Sequence, residues 1–471
     1  MLFPTIDFAV FFAVVFPITW LLNRYNTWKK WFLVAASYYF YAYWKVEFVA
    51  LLFASSLGNY LAALLLGRLA DGILRRAVLW VAVAANLGLL GYFKYWNFFA
   101  AELINALSAF GIDSAIGFIE VALPIAISFL TFHALSYVID VYRRQIKPTK
   151  SFVDILLYIS FFPHLIAGPI VRANKFLAQA ERRGDPADIR LGDSVFLIVG
   201  GLFKKVVVAN YLSTDFVDGI FRDPAGFSSL DLLLGMYAYA LQIYCDFSAY
   251  TDIAIGIARL LGYEFPQNFN QPYRALTLQD FWRRWHMSLS SWLRDYLYVP
   301  LGGGRGGALA TYRNIMITMG LGGLWHGANW NFLIWGLLHG AALVIERIFG
   351  RTDRDAERYS PLRAAVAWFV TFQFVSITWV FFRSPSLEAS FAYFKTLLTG
   401  GGWTTTMTPL VAVVFALGTL TQVIPAAWFG ALKVRYDAAP LVLKVLVPFV
   451  AIFLIAVAAP NGMPPFIYFQ F

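Results

Sequence analysis

Residues 309–346 read LATYRNIMITMGLGGLWHGANWNFLIWGLLHGAALVIE. Two apolar legs flank a cluster of Gly322, Gly323, Trp325, His326, Gly327, Asn329, Trp330 and Asn331. Each leg holds roughly 11–15 apolar residues, or about 16–22 Å of helix at 1.5 Å per residue. Arg305 and Arg313 precede the pair and Arg347, Arg351 and Arg354 follow it, which puts both ends on the cytoplasmic side. A full crossing needs about 20 apolar residues. The segment therefore reads as a hairpin whose turn, carrying His326, lies at membrane depth. Irregular backbone is tolerated there only where protein or a water-filled cavity surrounds it. The glycines permit close approach of a ligand to the backbone.

The rest of the chain agrees. Of 471 residues, 60% are hydrophobic and 14% charged, and the mean hydropathy is +0.64. Soluble domains are about 25% charged, so the polar side chains are too few to cover a water-facing globule. The aromatic content of 18% excludes disorder. Apolar runs near 4–23, 31–44, 48–67, 77–93, 117–139, 193–209, 232–257, 364–382, 409–427 and 441–459 predict an all-α, polytopic membrane protein. About 11–12 transmembrane helices with re-entrant segments are expected, as one integral-membrane domain over 1–471 with its core at about 121–350.

The net charge of +10 sits in short loops between apolar runs, as the positive-inside rule requires, and does not point to nucleic acid. Basic loops at 24–30, 68–76 and 143–150 alternate with loops carrying Glu47, Glu102, Asp113 and Glu120. This parity leaves no room for a crossing by 96–110, which is expected at the outer surface or re-entrant. Residues 1–23 lack Lys and Arg, so the first run is expected to stay as a span. Residues 153–171, interrupted by Pro163, Gly168 and Pro169 and flanked by basic loops, read as re-entrant. In 276–300, Trp282, Trp285, Leu289, Trp292 and Tyr296 recur at helical spacing, with Arg283, Arg284 and Arg294 largely off that face. That predicts an amphipathic helix in the cytoplasmic interface.

Ionisable groups inside a membrane read as functional by default. The five histidines are His133, His164, His286, His326 and His339. A buried neutral imidazole at His326 suits a general base that takes a proton from an attacking hydroxyl or thiol. The alternative is a structural histidine at a helix break. Asn329 and Asn331 suit either an oxyanion contact or helix capping. Asp246 and Asp252 interrupt an apolar run and call for a basic partner or a channel. Only Cys245 is present, so no disulfide or cysteine metal cluster forms within the chain, and no HExxH or GxSxG supports a metal site or serine triad.

The motifs FWRRWHMSLSSWLRDYLYVPLGG (281–303) and GLWHGANWNFLIWGLLHG (323–340) resemble the membrane-bound O-acyltransferase family, in particular its alginate-acetylating bacterial branch. The segments FLTFHALSYVIDVYR (129–143), FFPHLIAGPIVR (161–172), LQIYCDFSAYTDIAIGIARLLGYEFPQNFNQPY (241–273) and FIYFQF (466–471) are also similar. The resemblance implies a bundle of about eleven helices around a tunnel, with His326 catalytic and His286, the second signature position, catalytic with it. It implies acetyl-CoA as acyl donor, with no bound cofactor, and transfer across a bacterial inner membrane to a periplasmic acetyltransferase partner. That partner would then modify a polysaccharide. Alginate is the expected acceptor; peptidoglycan, cellulose or D-alanyl transfer to teichoic acid are the alternatives. Trp325, Asn329, Arg283, Arg284, Arg294 and Asp246 are expected to line or shape the substrate path, with lipid around the bundle. A transporter is the rival from another class, because broken helices and buried acids also mark transport sites. A scaffold that only recruits the periplasmic enzyme is a third.

Overall fold

A computed structural model of the protein describes residues 1–112, 120–186, 189–350, 359–460 and 464–467. Asp113, Arg351, Arg354 and residues 468–471 lie outside this set. All regular structure among the described residues is helical. The fold is that of an all-α polytopic membrane protein. Five helical stretches are long and apolar enough to cross a bilayer: Val46–Arg68, Ile73–Ala109, Leu191–Arg222, Trp330–Ile348 and Pro361–Arg383. Shorter apolar helices occupy Ile6–Leu21, Ile127–Tyr142 and Leu441–Val457.

The chain forms two compact units. The first comprises Met1–Arg190 and Ile257–Phe265. Its core is the helix Ile127–Tyr142 with the short helices Phe152–Ser160 and Phe162–Leu165. The segment 153–171 is buried almost throughout. Its nine-residue helix reaches only about 14 Å, too short to cross. It packs inside the unit, as its prolines and flanking charges suggest. Some polar groups in this interior pair with each other: Lys30 meets Asp154 at 2.6 Å, and the amides of Asn59 and Asn86 bond each other at 2.8 and 3.2 Å.

Of the two alternatives for the run 96–110, re-entry does not occur, and the run adds no separate crossing. It continues Ile73–Leu90 through a π-helical turn at Gly91–Tyr95, giving 37 unbroken helical residues. A π turn absorbs one extra residue without ending the hydrogen-bond ladder. The run 96–110 is thus the end of one helix of about 55 Å.

The second unit comprises Leu191–Gly256 and Pro266–Phe471. At its centre runs the long helix that begins at Ser229, buried with few interruptions from Met236 to Gly256. Small residues let the run Leu191–Arg222 approach it closely. A Cβ at Gly201 would press on Ile253 and the Ala249 carbonyl, and one at Gly256 on Ile198 and the Ser194 carbonyl.

The hairpin is present, with longer legs than its apolar count indicates. Its helices run Gly307–His326 and Trp330–Ile348, 20 and 19 residues, each close to ~30 Å. The extra length comes from polar residues satisfied internally: Thr311 and Thr318 donate to carbonyls four residues back, and Asn314 donates to the Gly303 carbonyl at 3.0 Å. Of the two legs, Trp330–Ile348 is long and apolar enough to cross a bilayer, and His326 ends the 20-residue first leg. Gly323 faces Gly336, where a Cβ on either would collide with a carbonyl of the opposite leg.

The stretch 276–300 differs most from expectation. It is two short helices, Leu278–Arg284 and Met287–Leu293, followed by a π turn at Arg294–Tyr298. The break falls at His286, whose backbone is left-handed at φ 42°. Trp285, Leu289 and Trp292 are buried in protein instead of resting on an interface. The reason is local. The Asn268 carbonyl accepts from Met287 N at 3.0 Å, and the Asn268 side-chain oxygen accepts from Ser288 N at 3.0 Å. These two bonds turn the chain inward.

Candidate active site

Three pieces of the second unit meet around His326: the end of the first hairpin leg, the kink at His286 and the helix Pro361–Arg383. His326 closes the Gly307–His326 helix and is only 3% exposed. Its ring sits 5.0 Å from Trp325, 5.1 Å from Trp335 and 5.2 Å from Phe382. Glycine at the turn makes this possible, since a Cβ at Gly327 would run into the Phe332 ring.

His286 is fully buried, edge-on to Phe247 at 4.7 Å and 6.0 Å from Trp325. Both signature histidines therefore contact one indole. Burial alone pushes the His286 imidazole down to about 3, so the ring is neutral at physiological pH. His339, one leg further on, bonds Thr378 Oγ1 at 2.9 Å and packs 4.9 Å from Trp335. His133 and His164 lie in the first unit, where their rings pack against each other at 4.4 Å.

The other expected site residues divide. A cavity of about 890 Å³ opens beside the hairpin and the broken helix. Arg283 and Arg294 line it; so do Arg347, Glu346, Tyr298 and Trp282. Arg284 does not; it pairs with Asp280 at 2.8 Å. Arg294 also pairs with Asp295 at 2.8 Å. Glu346 accepts from Leu278 N at 2.7 Å and Gln279 N at 3.2 Å, which fixes the start of the helix bearing Trp282 and Arg283. Asn329 caps the second leg: its oxygen accepts from Asn331 N at 2.9 Å, and its amide donates to the Pro385 carbonyl at 3.0 Å. Asn331 donates to the Ser384 carbonyl at 2.8 Å. Of the two roles weighed for these asparagines, Asn329 displays capping, whereas Asn331 displays neither and ties the second leg to Ser384.

Asp246 has the basic partner its burial demands. Lys205 lies 2.8 Å away, and Asp246 also accepts from Ile467 N at 2.8 Å. Asp252 pairs with Lys204 at 2.6 Å. Among the described residues, no group of three His, Cys, Asp or Glu is placed to hold a metal ion.

The cavity and the histidines are adjacent and separated by rings. The cavity's lining reaches Met319, about two helical turns before His326. On its wall Trp282 packs 5.7 Å from Trp335, which in turn stands perpendicular to His326. A large cationic cavity behind an aromatic wall, with two buried imidazoles beyond it, is an arrangement suited to moving an acyl group from an anionic donor.

The profile of the membrane-bound O-acyltransferase family matches residues 126–383. The chain belongs to the membrane-bound O-acyltransferase family. It is 41% identical over 377 residues to a protein named probable alginate O-acetylase AlgI in Azotobacter vinelandii, covering 79% of this chain and 73% of the relative. To the protein of that name in Pseudomonas aeruginosa it is 40% identical over 408 residues, covering 86% and 76%. A peptidoglycan O-acetyltransferase of Helicobacter pylori is 38% identical over 395 residues, covering 78% and 73%. This acyltransferase is thus an enzyme that spans the membrane several times, and its matched region holds both signature histidines and the whole hairpin.

Three residues that frame the two histidines carry no functional signal in the sequence: Asn268, Trp335 and Phe382. Asn268 lies in the polar stretch QNFNQPY, which stands out only through its likeness to the family. Trp335 and Phe382 look like ordinary apolar helix residues.

Proposed function

We propose that this chain is the membrane acyltransferase of a bacterial polymer-acetylation system. In this reading it accepts acetyl groups from acetyl-CoA on the cytoplasmic side of the inner membrane. It passes them outward to a periplasmic acetyltransferase partner, with alginate as the final acceptor. The likeness to alginate O-acetylases over most of the chain supports the polymer. The Helicobacter relative supports peptidoglycan as the second choice.

The observation that carries the mechanism is the Trp325 contact shared by two buried imidazoles, next to a cavity with three arginines. Arg283, Arg294 and Arg347 meet the phosphates of the donor with charge-assisted bonds. The thioester end advances past Trp282 and Trp335. Neither indole N–H has a hydrogen-bond partner among the described residues, so no polar bond holds these rings in place. A hydroxyl on the acceptor side attacks the acyl carbon as His326 takes its proton. The carbon–oxygen bond forms, the carbon–sulfur bond breaks, and the proton passes to the departing thiolate. The imidazolium formed in between sits at the carbonyl end of a 20-residue helix, whose partial negative charge favours it.

The test is acetyl transfer from labelled acetyl-CoA by the purified enzyme with its partner. His326→Ala, inserted normally, is expected to lose about 10²–10⁴-fold in rate. Full transfer by that variant, or no CoA release by the parent protein, overturns the proposal; the second result is what a transporter gives.

A further inference from the structure

We infer that Asn268 is a positioning residue that fixes the tautomer of His286, leaving Nε2 as the basic nitrogen. That His286 is catalytic is the expectation from the family resemblance, and it rests on the acyl-transfer reading above; the rest stands on geometry.

The backbone N–H of Ser288 can only donate, and it meets the Asn268 side chain at 3.0 Å. The Asn268 atom facing it is therefore the amide oxygen, because the amide nitrogen would set donor against donor. Nδ1 of His286 lies 3.3 Å from that same oxygen. Two lone-pair atoms would repel there, so Nδ1 carries the proton and donates it. In a neutral ring the other nitrogen then holds the lone pair. The ring is neutral because it is fully buried, with aromatic neighbours in Phe247, Phe269 and Trp325. Its Nε2 is buried and meets no hydrogen-bond partner among the described residues.

The same asparagine sets the ring's position. Its side-chain oxygen also accepts from Ser288 Oγ at 2.9 Å, and its carbonyl accepts from Met287 N. These bonds bracket the left-handed residue and hold its imidazole at the kink. A left-handed backbone at a residue other than glycine persists only where its surroundings impose it. Asn268 is itself buried, so the device is shielded from water.

The experiment is nitrogen NMR on the full-length enzyme in lipid nanodiscs, with histidines labelled and the His286 signals assigned by their loss in His286→Gln. The parent protein is expected to show the proton on Nδ1; a proton on Nε2 overturns the inference outright. Asn268→Asp keeps the acceptor oxygen and is expected to keep the Nδ1 proton. Asn268→Ala is expected to give a tautomer mixture and to lower kcat about ten-fold or more while the donor KM stays within about two-fold. An unchanged tautomer and rate in Asn268→Ala also overturn it. If Asn268→Ala does not fold, the parent and Asp spectra decide. Should His286→Gln retain full activity while the tautomer results hold, the catalytic reading of His286 fails and the inference about Asn268 stands.

Discussion

His286 shows how far burial alone can change a side chain. Its imidazole is held neutral down to about 3, against 6.5 for an exposed ring. As pH falls below 6.5 the unfolded chain binds a proton that the folded chain refuses. The stability contribution is therefore complete above 6.5 and is lost progressively towards 3. Between about pH 7 and pH 5 that loss comes to about 2 kcal/mol. His286→Gln has no such group, so its melting temperature in detergent should fall less than the parent's over this interval. An identical fall in both would show that the ring is hydrated. At this level much of the site was legible. His326 stands out as an ionisable group at a glycine-rich break in an apolar chain, and His286 stands out only through its likeness to the family's motif. Asn268 did not, because its role depends on residues 18 positions apart meeting in space.

The hairpin and the broken helix are the elements that place these residues. The glycines of the hairpin were visible in the sequence as a cluster, and their packing explains them. Gly323 and Gly336 let the two legs touch backbone to backbone. Gly336→Ala must push them apart, costing about 1–3 kcal/mol by overpacking. The variant should melt lower and transfer more slowly with its chemistry untouched; an unchanged melting temperature would show that the legs part freely. Glu346 links the second leg to the broken helix through two backbone N–H groups. Glu346→Ala leaves both donors without that partner and should cost about 1–3 kcal/mol. Because Trp282 and Arg283 ride on that helix, donor KM should rise several-fold with kcat little changed, as steady-state kinetics would reveal. The break itself was invisible. Trp282, Trp285, Leu289 and Trp292 keep helical spacing through it, and the left-handed position is filled by histidine where glycine or asparagine would have given a signal.

In the second unit as a whole, residues 464–467 are tied to the site. Lys205 reaches the Pro464 carbonyl at 3.1 Å, and Asp246 holds Ile467 N. Phe466, fully buried, lies 4.2 Å from Tyr250 and 5.9 Å from Phe247, the ring that packs on His286. The ion pair beneath is almost wholly buried, with the Lys205 and Asp246 side chains 3% and 5% exposed. Removing one partner strands the other charge. Lys205→Met should therefore destabilise by about 3–5 kcal/mol, read from thermal unfolding in detergent. The change of both residues to apolar ones should recover much of that loss, and a double variant no better than the single one would argue that the tail depends on the pair itself.

What the amino-acid order alone determined is the class of molecule, most of its helices, the hairpin and the two histidines worth testing. Those are local properties: apolar run length, loop charge, glycine clustering and the rarity of titratable groups in an oily chain. Which asparagine holds which imidazole, where a helix kinks without a breaker, and how residues 464–467 brace the site were decided only by the packed structure. Those contacts join residues far apart in the chain, and their partners are chosen by shape and by the need to satisfy buried donors and acceptors.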